Sequence, residues 1–277
     1  MIVSMAFFAV EDAFIKAAAA TLPVGQIVMI FGIGGAAVFA AFAVYNKDAL
    51  FVRDILSRPM RIRVVFEISG RLFYFLAITL TPLSAATVIL QATPLVVVAG
   101  AAMVFGEKVG WHRWFAILVG LCGVIVIVQP GTDSFSALSI FAVIGMVGFA
   151  GRDLASRAAP LTLSTSALGF YGFLAVVVAG AVVAVWQGTP FATPNAATSL
   201  NLVGAILAGV AAYACLMRAM RIGEVSAVTP FRYTRLLFGI SLGVLLFDET
   251  ISSTMVLGAG LIAFSGLFIL WRGKTAR

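Results

Sequence analysis

Apolar runs of about 17–24 residues recur ten times along the chain, at residues 2–21, 25–45, 63–81, 84–105, 112–129, 136–156, 163–186, 199–220, 226–247 and 252–271. Wound as a helix at 1.5 Å per residue, each run is about as long as the hydrocarbon core of a bilayer is thick. Membrane-spanning barrels need short alternating strands, and these runs are too long and too uniformly apolar for that. Composition agrees. Of the 277 residues, 62% are hydrophobic and 10% charged, and the mean hydropathy is +1.12. A soluble domain holds about 45–50% apolar and about 25% charged residues. The expectation is an all-α membrane protein with ten transmembrane helices.

The formal net charge is +7, which in a soluble chain would raise nucleic acid as a partner. Here the basic residues instead mark alternate loops. Lys47, Arg53, Arg58, Arg61 and Arg63 follow the second run, and Lys108 and Arg113 follow the fourth. Arg152 and Arg157 end the sixth run, Arg218 and Arg221 end the eighth, and Arg272, Lys274 and Arg277 lie in the tail. The loops between them, 22–24, 81–83, 129–135, 187–198 and 248–251, hold no Lys or Arg. The positive-inside rule then places both termini and the basic loops in the cytoplasm. The basic loop 46–63 also reads as a short amphipathic helix on the anionic lipid surface. Residues 1–21 lack a basic leader, so no cleavable signal peptide is expected. Cys122 and Cys215 sit in apolar runs and read as small buried hydrophobes. With His112 as the single histidine, neither a His-rich metal site nor Ser/His/Asp catalysis is expected, and no cofactor is implied.

Four basic residues fall outside this pattern: Lys16, Arg71, Arg232 and Arg235 lie within the apolar runs. Glu11 and Asp12 lie at comparable depth, with Glu67 lower, nearer the cytoplasm. A charge at membrane depth costs about 2.5 kcal/mol or more and marks a pairing or a functional path. Glu11, Asp12, Arg71, Arg232 and Arg235 come from three runs far apart in sequence, yet all fall near the midpoints. Their convergence points to a solute path. Arg232 and Arg235, three apart, share a helix face. They read either as ligands for a substrate carboxylate or as structural partners of Glu11, Asp12 or Glu67. Glu11 and Asp12 read as holders of an amino group or of a coupled proton, and about 100° separates their directions on a helix. Asp12 and Lys16 are four apart, which favours a bond between them within the helix, and the same spacing joins Glu67 to Arg71. Tyr74, Gln91, Tyr213 and Tyr233 lie at similar depth and read as ligand contacts or as packing. Pro94 and Pro230 interrupt their runs, as hinges for gating or as static bends. Glu107 and Glu249 read as boundary residues at run ends.

A shift of 142 residues superposes Ala77 on Ala219, Ser84 on Ser226, Ala85 on Ala227, Thr87 on Thr229, Leu95 on Leu237, Phe105 on Phe247 and Glu107 on Glu249. Each half then holds five runs, residues 1–130 and 131–277. Five is odd, so the second half enters the membrane inverted. Inverted repeats point to a transporter with its site near the midplane, where the repeats meet.

The segments Pro82-Leu83-Ser84-Ala85-Ala86, Gln91-Ala92-Thr93-Pro94-Leu95 and Gly106-Glu107, then Gly120 and Gly123, resemble the repeat of the EamA family in the drug/metabolite transporter superfamily. The second copy is Ser226-Ala227-Val228-Thr229-Pro230, Tyr233, Phe247 and Glu249, then Gly258, Gly260 and Gly266. Residues 13–23 resemble the lysine-containing first helix of that family, with Lys16 in the lysine position. Phe31 stands in a region where many members have an arginine. The resemblance implies two inverted five-helix repeats around a central cavity. Its nearest implication for function is a YddG-like amino-acid exporter working by alternating access, with a zwitterion held between arginines and Glu11 or Asp12. An importer of S-adenosylmethionine, riboflavin or a drug-like cation is the alternative. A channel or membrane enzyme would need a filter loop, catalytic dyad or metal cluster that the sequence does not offer. The expected partners are a small-molecule substrate and membrane lipid, with no nucleic acid. Internal duplication lets a monomer supply both halves of the path.

Overall fold

The computed structural model describes residues 1–106, 110–129, 136–160, 162–222, 232 and 234–274. Among these, helices make up all the regular structure: α1 (Ile2–Ala18), α2 (Val24–Asn46), α3 (Arg58–Leu80), α4 (Leu83–Leu90), α5 (Thr93–Phe105), α6 (Trp111–Val128), α7 (Ser139–Arg157), α8 (Thr165–Gln187), α9 (Ala196–Ile222), α10 (Thr234–Phe247) and α11 (Ser253–Lys274). The expected surface helix in the loop 46–63 is a single 3-10 turn, Arg53–Leu56, and α3 begins five residues before its apolar run.

Helix ends follow local chemistry. Pro23 and Pro82 precede α2 and α4, and prolines occupy the first turns of α3 and α5, where a missing N–H costs nothing. The Ser164 hydroxyl caps α8 by accepting from Ala167 N at 3.1 Å, and the Asn195 amide oxygen accepts from Thr198 N at 2.8 Å at the start of α9. Gly188 closes α8 in the left-handed region.

The fourth apolar run is broken. Pro94 has no N–H to offer the carbonyl of Leu90, so α4 stops there. Thr93 Oγ1 donates to that carbonyl at 2.5 Å instead. Gln91 and Ala92 bridge the gap with tight i−3 bonds to Val88 and Ile89. Pro94 is therefore at the start of a second helix rather than at a bend within one. Pro230 and Tyr233 lie outside the described residues.

Among the described residues, five stretches are long and apolar enough to cross a membrane: Val24–Asn46, Ala85–Val104, Ser139–Ser156, Thr165–Gln187 and Ala196–Leu216. Three shorter apolar helices, Trp114–Ile127, Thr234–Phe247 and Ser253–Phe268, accompany them. Large apolar side chains face outward along these helices, including Ile33, Leu118, Val185, Leu200, Leu245 and Leu257, as the lipid-facing side of a multi-pass membrane protein requires. The buried charges Glu11, Asp12, Arg63, Glu67 and Arg71 lie on the inward faces of α1 and α3.

The main helix pairs are α2 with α8, α3 with α7, α1 with α9, α6 with α11 and α4 with α10. Further contacts join α1 to α10, α4 and α5 to α7, α3 to α8 and α2 to α9. Small residues allow the closest pairs. A Cβ on Gly148 of α7 would lie 2.5 Å from the N and Cα of Gly70 on α3. One on Gly25 of α2 would lie 2.5 Å from the backbone of Ala184 on α8. With no hydrophobic drive between helices in lipid, such backbone contact carries much of the association.

Gly148→Ala is expected to force α3 and α7 apart at a cost of about 1–3 kcal/mol, read as a lower unfolding midpoint in detergent. Gly260→Ala, where a Cβ meets nothing within 4 Å, is expected to leave the midpoint unchanged or raise it.

Candidate functional site

Two adjoining charge clusters form here, one joining α1, α3 and α7 to Arg232 and the other joining α1 and α3 to α10. Arg71 Nη1 donates to Glu11 Oε1 at 2.9 Å, and its Nε lies 3.5 Å from Glu67 Oε1. Glu67, one turn below Arg71, also meets Arg152 at 3.4 Å and Arg63 at 3.7 Å. Arg152 Nη2 donates to Asp153 Oδ1 at 2.8 Å, and Arg232 places Nη1 and Nη2 each 3.1 Å from Asp153 Oδ2. At the other end, Arg235 Nη2 donates to Asp12 Oδ2 at 2.5 Å, and Tyr74 Oη donates to the same oxygen at 2.9 Å. Burial strengthens each pairing, because an isolated charge here has no water to fall back on. Phenylalanine faces pack against the guanidiniums, with Arg235 5.0 Å from the Phe8 ring centre and Arg152 4.8 Å from that of Phe149.

This network forms one wall of a cavity of about 550 Å³, a volume that includes the space where it opens to solvent. Arg71, Phe149, Arg152, Asp153, Arg232 and Arg235 supply that wall, and Met5, Phe8 and Leu216 a second. Leu90, Gln91, Thr93 and Pro94, the residues of the helix break, complete it. Irregular backbone at membrane depth is tolerated where it lines such a space. At the opposite end of α1 the bundle is filled by Ile15, Ala77, Ile78, Leu83 and Ala86, all fully buried. A polar latch crosses that end. Lys16 Nζ donates to the carbonyls of Thr81 at 2.7 Å and Ile78 at 3.2 Å, and lies 3.6 Å from Glu249. Glu249 Oε1 accepts from Leu83 N at 2.6 Å.

Of the residues singled out in the sequence, Arg71, Gln91, Pro94, Arg232 and Arg235 line the cavity. Glu11, Asp12 and Tyr74 are buried one layer behind, as partners of Arg71 and Arg235. Tyr213 accepts from Arg63 Nη2 at 2.9 Å, away from the cavity. Several local expectations are corrected. Lys16 pairs with the end of α3 and with Glu249 rather than with Asp12, because carbonyls at a helix C-terminus attract a cation. Glu249 lies just past the end of α10, as a boundary residue does, and pairs with Lys16 and the Leu83 amide. Arg63 and Arg152 are buried members of the network rather than loop charges. Arg71 does meet Glu67, but its shorter contact is to Glu11. Asp153 was missed, although the shift of 142 residues carries Glu11 onto it. The same shift carries Leu90 to Arg232 and Thr93 to Arg235, so equivalent positions of the two halves face one cavity.

Residues 1–129 and 137–271 match the EamA-like transporter family. The S-adenosylmethionine uptake transporter of Rickettsia prowazekii (strain Madrid E) is 26% identical over 236 residues, covering 83% of this chain and 76% of its own. The pseudopaline exporter of Pseudomonas aeruginosa (strain UCBPP-PA14) is 28% identical over 262 residues, covering 92% and 89%. The riboflavin transporter of Vibrio cholerae serotype O1 is 29% identical over 193 residues, covering 68% and 63%. A solved crystal structure shares the fold, with a TM-score of 0.64 at 17% identity over 100% of this chain and 97% of that one.

Glu67 serves three arginines, so Glu67→Gln is expected to destabilise the protein by about 3–5 kcal/mol. Thermal unfolding in detergent reads this, with Asp48→Asn at the bundle end as the unaffected control.

Proposed function

This chain belongs to the EamA-like transporter family, and on that premise we propose that it moves a small amino-acid-like metabolite across the bacterial plasma membrane by alternating access. Its relatives are named as transporters, not enzymes. The observation that carries the cargo reading is the cavity wall: arginines and one aspartate, held in an apolar bundle at a break in a helix. A zwitterion suits it. Arg235 and Arg232 present forked donors to a carboxylate, and Asp153 is the acid within reach of an ammonium group. Glu11 and Asp12 act from behind by fixing Arg71 and Arg235.

In this reading the chain crosses the membrane ten times as two inverted repeats, residues 1–130 and 131–277. Counting α4 and α5 as one segment, exchange of the first five segments with the last five maps α2–α8, α6–α11 and α4–α10 onto themselves. It maps α3–α7 onto α1–α9, α1–α10 onto the contact of α4 and α5 with α7, and α3–α8 onto α2–α9. These larger helix pairings obey the exchange, which supports a pseudo-twofold arrangement. The basic loops and both termini are cytoplasmic, and the cavity faces that side. The Lys16–Glu249 latch closes the outer side, and its release, with bending at the 91–94 break, opens it. A single chain holds both halves of the path, and the gradient of the cargo or of an ion supplies the energy. Export is the direction carried over from the amino-acid exporters. The named substrates of the uptake relatives favour import of a larger metabolite as the second reading.

Proteoliposomes holding the full chain are expected to take up labelled amino acids saturably, and Arg235→Ala to lower uptake at least about tenfold. Uptake blocked by S-adenosylmethionine or riboflavin but by no amino acid would transfer the reading to the larger cargo.

A further inference from the structure

The charges around the cavity do not balance. Arg71 has Glu11 at 2.9 Å, Arg235 has Asp12 at 2.5 Å, Arg152 has Asp153 at 2.8 Å, and Arg63 has Glu67 at 3.7 Å. That uses all four carboxylates of the described network. The fifth guanidinium is Arg232, and it shares Asp153 Oδ2 while Arg152 already holds Oδ1 of the same aspartate. Among the described residues, five cations against four anions leave one positive charge, shared by the guanidiniums that crowd Glu67 and Asp153, and Arg232, its side chain 16% exposed, presents it at the cavity wall. Uncompensated charge at membrane depth is costly. A ligand that supplies the missing carboxylate removes that cost and gains forked, charge-assisted hydrogen bonds.

The symmetry sharpens the point. The first-half equivalents of Arg232 and Arg235 are Leu90 and Thr93, which also line the cavity and carry no charge. The helix-break side of the cavity therefore adds nothing to the excess, and Arg152 and Arg232 opposite it are where one acid group of a cargo would seat.

We propose that the cargo carries one net negative charge: a small metabolite with one more carboxylate than ammonium, its additional acid group held by Arg232 and Arg152. An amino-dicarboxylic acid is the simplest member of this class. The proposal rests on the transporter reading above and narrows it, because a neutral zwitterion would leave the net excess in place and a cation would add to it.

The test compares labelled glutamate, glutamine and lysine, which differ in charge at similar size, for uptake by the full chain in proteoliposomes. Glutamate is expected to be preferred over glutamine by about tenfold in apparent affinity. Arg232→Gln is expected to abolish that preference, and Arg232→Lys, which keeps the charge, to retain it. Both variants are checked for an unfolding midpoint like that of the parent protein. Saturable uptake that favours glutamine or lysine, or a preference unchanged in Arg232→Gln, overturns the anion proposal and leaves the transporter reading standing. Failure of all three to enter saturably overturns this proposal and the amino-acid reading together.

Discussion

Glu67 is the contact on which the interior depends. It lies between Arg63, Arg71 and Arg152, drawn from α3 and α7, at 3.4–3.7 Å. Without it, three guanidiniums would face one another in an apolar bundle. With it, Arg71 turns toward Glu11 on α1 and Arg152 toward Asp153, and from Asp153 the network reaches α10 through Arg232. A helix face with so many charges cannot face lipid, so that face of α3 turns inward while Val65 and Leu80 stay outside, and the Gly70–Gly148 contact lets α7 come close enough to supply Arg152. Packing and electrostatics specify each other here. The glycines set the distance, and the ion pairs set which faces meet.

The helix break does a second, separate job. An unbroken fourth segment would present only side chains to the cavity. Pro94 ends α4, and the turn at Gln91 and Ala92 gives that surface an irregular, polar edge. Thr93 satisfies the carbonyl that the proline leaves free, so the break carries little energetic penalty. Arg232 and Arg235, which the 142-residue sequence shift pairs with Leu90 and Thr93, line the same cavity.

Much of this was legible in the sequence. The all-helical membrane class followed from ten apolar runs, and the convergence of Glu11, Asp12, Arg71 and Arg235 followed from depth alone, because a charge in lipid must find a partner. The helix break was visible as Pro94. What sequence could not give was which partner each charge would choose. Lys16 was assigned to Asp12 by spacing along one helix, whereas packing offered it the end of α3 and Glu249. Arg152 looked like a topology signal because it stands near a run end, and only the approach of α7 to α3 turns it inward. Local spacing ranks partners within a helix, and tertiary contacts overrule it wherever a second helix comes nearer.

The central claim is that this network faces a solvent-reached cavity on the side of the basic loops and is sealed from the other. It is tested most directly by a single cysteine at Thr93, in a background without Cys122 and Cys215. A membrane-impermeant thiol reagent should modify Thr93→Cys from the face that carries Ser57, and a cysteine at Ala86 from neither face. Modification of Thr93→Cys only from the face that carries Gly188, or modification of Ala86→Cys as fast as Thr93→Cys, would contradict the account.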